Sequence, residues 1–191
     1  MAANPEYMAE IKTIEFNLNG NPMEAYEGET ILQAAKRNGI DIPHLCFKEG
    51  LRGDGNCRAC VVEIEGERVL QPSCMRMPSA GMVVHTDNER VLHSQRMVLE
   101  LLQSDVTESI YSRDSELDFW SKRLAVGKPR FEARHNPTAD LSHPAIAVNL
   151  DACIQCTRCV RACREEQNND VIGYANRGSH SLIVFDIADP M

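Results

Sequence analysis

The eight cysteines of this 191-residue chain form two groups of four, and this grouping constrains the fold more than any other feature. The first group is Cys46, Cys57, Cys60 and Cys74, and the second group is Cys153, Cys156, Cys159 and Cys163. A secreted scaffold held by disulfides is usually smaller and spreads its cysteines more evenly. In a reducing compartment, cysteines clustered in this way are typical of metal ligands or redox groups.

The composition of the chain excludes several other classes of protein. The formal net charge of −8 argues against nucleic acid as a partner. No apolar run approaches the roughly 20 residues that a membrane helix needs. The N-terminal residues show no basic region followed by an apolar stretch, as a secretory signal would. We therefore expect a cytoplasmic protein without a membrane span and without a nucleic-acid partner.

The pattern of apolar residues divides the chain into four segments. We expect a tail over residues 1–10, a first domain over residues 11–88, a helix and connector over residues 89–144, and a second unit over residues 145–191. The second unit ends abruptly after a strand-like segment, and we expect it to be incomplete. The segments together predict an α+β fold, because strands and helices do not alternate regularly along the chain.

The first domain has the predicted order strand, strand, helix and further strands. The strands are expected over residues 11–18, 23–26, 62–64, 69–70 and 82–85. Thr30 and Gln33 form a candidate capping box for the helix, and Gly39 is expected to end it. This order favours a small mixed sheet with one helix packed across it.

The remaining segments carry weaker signals. A second capping box at Thr86 and Glu89 predicts a helix over residues 89–102, and a short helix is expected over residues 116–122. The second unit is expected to contain strands over residues 146–148, 171–174 and 182–185.

The first cysteine group has the spacing Cys46-x10-Cys57-x2-Cys60-x13-Cys74. Because each iron of a [2Fe–2S] cluster takes two thiolates, four cysteines must converge, three of them from one loop. Glycines between Cys46 and Cys57 let the backbone curl and leave N–H groups free to face the cluster. One alternative is a thioredoxin-like pair of Cys57 and Cys60, which would need neither other cysteine. Another is a four-cysteine zinc site, although zinc sites usually bring two close pairs.

The second group, Cys153-x2-Cys156-x2-Cys159-x3-Cys163, has the spacing of a ferredoxin run. We predict that Cys153, Cys156 and Cys159 bind one [4Fe–4S] cluster. In two-cluster ferredoxins the fourth cysteine of such a run binds the other cluster, so Cys163 is either a ligand of a second cluster or the fourth ligand of this one. The missing ligand could also come from another local group, from a partner chain or from a further run beyond Met191, and we expect the last.

Two segments carry a resemblance to a known family. Residues 52–64 resemble the [2Fe–2S] domain that begins the large iron–sulfur subunits of NADH dehydrogenase, iron-only hydrogenases and NAD-dependent formate dehydrogenases. Residues 151–167 look like the alpha subunit of NAD-dependent formate dehydrogenase containing molybdenum or tungsten. The resemblance implies a β-grasp [2Fe–2S] ferredoxin domain, a helical connector and a ferredoxin-like [4Fe–4S] unit.

A difference within that family favours formate dehydrogenase. NADH dehydrogenase and many hydrogenase relatives place a His-x3-Cys-x2-Cys cluster between the two units. This chain has histidines in that region but no cysteine between Cys74 and Cys153. We interpret those histidines as ordinary residues, because a histidine alone cannot hold a cubane.

The resemblance implies an electron-transfer module of a soluble NAD-dependent formate dehydrogenase. Its partners would be other parts of that complex, including a flavin/NAD subunit. A molybdenum or tungsten bis-pterin, FMN and NAD would lie outside this chain. The sequence shows no nucleophile, general base or substrate pocket, so we do not expect the chain to oxidise formate alone. The alternatives are a subunit of an NAD-reducing hydrogenase or NADH dehydrogenase, and a non-redox zinc-binding interaction module.

Basic residues flank the cysteines of both groups. They are Arg58, Arg158, Arg161 and Arg164. Because a cluster with four thiolates is anionic, a nearby guanidinium favours its reduced form. Surface solubility, or contact with the rest of a complex, explains the same residues equally well.

Overall fold

The structure is a computed structural model that describes residues 12–106, 115–134 and 138–185. The tail expected over residues 1–10, the start of the first predicted strand at Ile11 and the end of the chain from residue 186 lie outside the described residues. Among the described helices, none has the length and apolar character needed to cross a membrane.

A five-stranded mixed sheet forms the centre of the first domain. Its strands are β1 Thr13–Leu18, β2 Asn21–Tyr26, β3 Val61–Ile64, β4 Gln71–Pro72 and β5 Val83–His85. They lie in the order β2-β1-β5-β3-β4, with β1 parallel to β5 and the other neighbours antiparallel. Asn19 and Gly20 both adopt positive φ in the turn between β1 and β2, which suits the twist of a two-residue hairpin.

Helix α1, Ile31–Arg37, packs across this sheet and confirms the predicted capping box. Thr30 Oγ1 accepts from the main-chain N–H of Gln33 at 3.3 Å, and the Thr30 N–H donates to Gln33 Oε1 at 3.0 Å. Gly39 follows the helix with a φ of +75°, a conformation that glycine adopts without strain. The buried face of α1 shares one core with the sheet, as expected for the predicted β-grasp arrangement.

Two further helices, α2 Glu89–Asp105 and α3 Glu116–Arg123, pack against each other. The short helix predicted at α3 is confirmed, but the capping box predicted at Thr86 and Glu89 is wrong. The α2 N-cap is Asn88, whose Oδ1 accepts from the N–H of Val91 at 2.9 Å. Thr86 instead bonds to Asn19, through its N–H and through its hydroxyl, and so ties the first hairpin to the start of α2.

The second unit contains two small hairpins on either side of a short helix. Its elements are β6 Asp140–His143, β7 Ile146–Val148, α4 Arg158–Arg161, β8 Ile172–Ala175 and β9 Leu182–Phe185. A π-helical turn, Ala162–Glu166, continues α4. The sequence did not predict β6, because it lacks alternating apolar residues and its Leu141 is 72% exposed.

Candidate metal centres

The structure brings together the thiols of all four cysteines in the first group. Hydrogen bonds link the side chain of Cys46 to Cys57 and Cys74, and that of Cys74 to Cys60. The main-chain N–H of Cys46 also faces the sulfur of Cys57 at 3.4 Å. Within the described residues, no three His, Cys, Asp or Glu side chains are grouped around a single metal ion. The first group is therefore a set of linked cysteine pairs, which suits a cluster that takes two thiolates on each iron.

The loop between Cys46 and Cys57 passes directly over the backbone of Cys74. A Cβ at Gly53 would lie 2.7 Å from the carbonyl oxygen of Cys74 and 2.9 Å from Met75 Sδ. Glycine is therefore required at this position by the close approach of two backbone segments.

The β3–β4 hairpin and helix α1 place Cys74. The N–H and the hydroxyl of buried Ser73 donate to the carbonyl of Cys60, at 3.0 and 2.7 Å. In the first turn of α1, the N–H groups of Ile31 and Leu32 donate to the carbonyls of Arg76 and Ser73. These helix N–H groups have no partner within the helix, so they are available to fix the segment that carries Cys74.

The close contacts make the four thiols differ in acidity. Hydrogen bonds from Cys57 and Cys74 lower the pKa of Cys46 to about 2, and the hydrogen bond from Cys74 lowers the pKa of Cys60. Their contacts with Cys46 raise the pKa values of Cys57 and Cys74. All four thiols can ionise together only beside a compensating positive charge, and the irons of a cluster supply it because coordinated thiols lose their protons.

Three cysteines of the second group share one loop and the start of α4. Burial raises the pKa values of Cys153 and Cys159, and both thiols interact electrostatically with Cys156. Two residues of this loop, Gln155 and Thr157, adopt φ values of +54° and +61°. Positive φ is unusual for a β-branched residue, and such strained positions concentrate at functional sites.

Cys163 occupies a different environment from the other three cysteines of its group. It is buried on the π-helical turn, and its thiol lies 2.9 Å from the carbonyl oxygen of Asn169, to which it can donate. π-Helical turns are often found at functional sites. The two roles predicted for Cys163, fourth ligand or ligand of a second cluster, both stay predictions.

The loops of the two cysteine groups contact each other directly. Asn56 Nδ2 donates to the carbonyl of Gln155 at 2.9 Å, and the hydroxyl of Thr157 donates to Asp54 Oδ2 at 2.9 Å. Sequence analysis assigned no such contact to Asp54 or Asn56, because no local pattern shows which residues meet across two separate units.

Two of the four flanking arginines also cross this boundary. Arg158 donates to the carbonyl of Phe47 at 2.8 Å, and Arg161 donates to the carbonyls of Arg52 and Cys46. Arg164 instead pairs with the exposed Asp170 at 2.6 Å. Surface solubility is therefore the wrong explanation for Arg158 and Arg161.

A second hydrophobic core lies behind both cysteine loops. Its buried members are Leu45, Ala59, Leu99, Leu117 and Trp120. Cys57 from the first loop and Ile154 from the second pack against it. Helices α2 and α3 thus support both cysteine loops, although the sequence suggested only a connector in the region of α3.

We expect Gly53→Ala to prevent assembly of the first centre. The added methyl group would meet the Cys74 carbonyl at 2.7 Å, so one of the two backbone segments would have to move. Iron content and the low-temperature EPR spectrum of the reduced protein measure this, with a loss of about two irons expected. Gly127→Ala is the control, because a Cβ there meets nothing within 4 Å. A fully loaded Gly53→Ala protein would contradict the described loop packing.

Comparisons with known proteins identify both parts of the chain. A family model described as "2Fe-2S iron-sulfur cluster binding domain" matches residues 11–89. A second, described as "NADH-quinone oxidoreductase subunit 3, ferredoxin-like domain", matches residues 143–190.

Individual relatives come from two classes of oxidoreductase. An NADH-quinone oxidoreductase polypeptide of Rickettsia felis is 34% identical over 172 residues, which cover 87% of this chain and 26% of the relative. The NADP-reducing hydrogenase subunit HndD of Solidesulfovibrio fructosivorans is 35% identical over 185 residues, which cover 89% of this chain and 31% of the relative. The chain thus spans less than a third of the length of these two relatives.

A solved structure shows the same arrangement of elements. It is an NAD+-reducing [NiFe]-hydrogenase in the H2-reduced state, with a TM-score of 0.81 and 27% sequence identity. The match covers 90% of this chain and 74% of the hydrogenase chain. These relatives are thus NADH dehydrogenase and hydrogenase chains, the classes that sequence analysis held as the alternative to formate dehydrogenase.

Proposed function

Because the chain combines a [2Fe–2S] cluster binding domain with a ferredoxin-like iron–sulfur domain, we propose that it is an electron-transfer module of an NAD(H)-linked oxidoreductase complex. Each bound cluster supplies one-electron redox chemistry. The observation that carries the proposal is the direct contact between the two cysteine loops. Two redox groups held side by side can exchange electrons within one chain, whereas two structural metal sites have no need of such contact.

The residues of this chain have the task of holding and tuning the clusters. The contacts suggest that Cys46 and Cys57 bind one iron of the [2Fe–2S] cluster, and that Cys60 and Cys74 bind the other. Burial of three of these thiols keeps water away from the cluster, which is one of the factors that set its potential.

The second centre is proposed to bind its [4Fe–4S] cluster through Cys153, Cys156 and Cys159. Cys163→Ser tests the role of the fourth cysteine. If Cys163 faces a second cluster, as its separate contact with Asn169 suggests, the first cubane still assembles in this variant. We expect that result in iron analysis and EPR of the reduced protein. Loss of the [4Fe–4S] signal would identify Cys163 as the fourth ligand.

Two finer assignments are compatible with this role. The absence of any cysteine between Cys74 and Cys153 favours a cytoplasmic NAD-dependent formate dehydrogenase. In that enzyme the chain would relay electrons between a molybdenum or tungsten bis-pterin site and a flavin/NAD subunit, both outside this chain. The relatives favour an NAD-reducing hydrogenase or an NADH dehydrogenase instead.

The first experiment measures iron, sulfide and zinc in the anaerobically purified chain, together with low-temperature EPR after dithionite reduction. We expect about six irons and one signal from each type of cluster. Zinc without iron would overturn the proposal and support the zinc-binding module.

A second experiment separates the finer assignments by the choice of reductant. The complex purified through this chain is exposed to formate, to hydrogen or to NADH before EPR. Reduction of the clusters by formate and NADH is expected for the formate dehydrogenase. Reduction by hydrogen would instead identify a hydrogenase, and reduction by NADH alone would favour an NADH dehydrogenase.

A further inference from the structure

Arg161 connects the two cysteine units through its buried guanidinium group. It is the last residue of α4, two positions after Cys159, and only 5% of it is exposed. Its two Nη atoms donate to the carbonyls of Arg52 and Cys46, which lie in the loop of the first centre. One side chain of the second unit therefore holds the backbone of a predicted ligand of the first.

The charge of this guanidinium is poorly balanced by its protein neighbours. The carboxylate of Asp54 lies 4.0 Å from Nε, which is beyond hydrogen-bond distance. The buried Nε–H finds no hydrogen-bond partner among the described residues. A buried cation is costly unless opposite charge lies nearby. Two carbonyl dipoles and a distant carboxylate leave room for a further negative group.

The other two arginines of this run are balanced differently. Arg158 forms an ion pair with Glu116 in addition to its contact with the carbonyl of Phe47. Arg164 is exposed and pairs with Asp170. Arg161 thus combines burial, contact with a predicted ligand and incomplete neutralisation.

We propose that Arg161 is a positioning residue that fixes the Cys46 peptide against the second cysteine run and raises the reduction potential of the [2Fe–2S] cluster. The inference rests on the proposed function, because it requires a cluster at Cys46. Adding an electron makes an anionic cluster more negative, so a nearby buried positive charge stabilises the reduced form. The same side chain begins beside Cys159, and it therefore links the surroundings of one cluster to the other.

The test is an EPR-monitored redox titration of the [2Fe–2S] signal in the chain that carries both clusters. Arg161→Gln removes the charge and the forked contact, and we expect about a tenfold shift of the redox equilibrium toward the oxidised form. For a one-electron couple this corresponds to a midpoint lowered by about 59 mV. Arg161→Lys keeps the charge but cannot donate to both carbonyls in the same way, so we expect a smaller shift with altered g values.

Arg164→Gln is the matched control. It removes the same charge from the same helical segment, but at an exposed ion pair, and we expect the [2Fe–2S] midpoint to stay unchanged. An equal shift in the Arg164 and Arg161 variants would overturn the proposal, because it would show a general charge effect. An unchanged midpoint in Arg161→Gln would overturn it as well.

Assembly of the clusters is measured in parallel. If Arg161→Gln loses its clusters, Arg161→Lys must still assemble them with a changed midpoint, and failure of both variants would contradict the positioning role. A wild-type chain without any [2Fe–2S] signal would contradict the proposed function itself. A wild-type signal whose midpoint ignores Arg161 would contradict only this further inference.

Discussion

Cys57→Ser is expected to abolish the [2Fe–2S] signal of the reduced chain while the [4Fe–4S] signal remains. The Cys57 sulfur contacts Cys46 at the centre of the first group, and its side chain packs against the second core. Soft thiolates are the ligands that iron–sulfur clusters select, and a serine hydroxyl does not replace them. Low-temperature EPR and iron analysis measure the effect, with a loss of about two irons expected.

The reciprocal variant Cys156→Ser serves as its control. It is expected to remove the [4Fe–4S] signal and to leave the [2Fe–2S] signal in place. Because the two cysteine loops touch, the remaining signal can change slightly in shape in either variant. Disappearance of both signals after a single substitution would show that the centres do not assemble independently.

Trp120→Ala is expected to cost about 3–5 kcal/mol in the free energy of unfolding, as for other buried aromatic residues. Trp120 is 6% exposed in the second core, and its ring lies 5.9 Å from that of His44. Removing it leaves a cavity beside Leu45 and Ala59, which are the neighbours of Cys46 and Cys60. Thermal unfolding followed by circular dichroism is expected to show a midpoint lowered by on the order of 10 °C.

Phe119→Ala provides a matched control in the same helix. The Phe119 ring lies 5.1 Å from that of Trp120 but is 55% exposed, so its removal leaves no buried cavity. We expect a change within about 1 kcal/mol for this exposed side chain. If the two variants unfolded at the same temperature, the second core would not be the support of the cysteine loops that the structure describes.

The parts of the fold that depend on local chemistry were predictable from the sequence. The capping box at Thr30 follows from hydrogen bonds between neighbours, and strand β9 coincides with a short apolar run. The cysteine spacing indicated which thiols meet in the first group, because its ligand pattern is specific.

The parts that depend on distant neighbours were not predictable in the same way. Thr86 looked like a helix cap until Asn19, from another hairpin, proved to bind it. The second core joins residues from α2, α3 and both cysteine loops, and no periodicity within one segment reveals such a set. The guanidinium of Arg161 likewise has a defined role only because a loop more than a hundred positions away supplies its acceptors.

The acceptors at the boundary between the two cysteine units are mostly main-chain carbonyls. Phe47, Arg52 and Cys46 accept from arginines of the second unit, and Gln155 accepts from Asn56 of the first. Every residue has a carbonyl, so substitutions at most acceptor positions leave these hydrogen bonds intact as long as the loop keeps its path. Such a boundary tolerates sequence divergence. It would also let a [2Fe–2S] domain from one oxidoreductase be joined to a ferredoxin-like unit from another, provided that the arginine donors are retained.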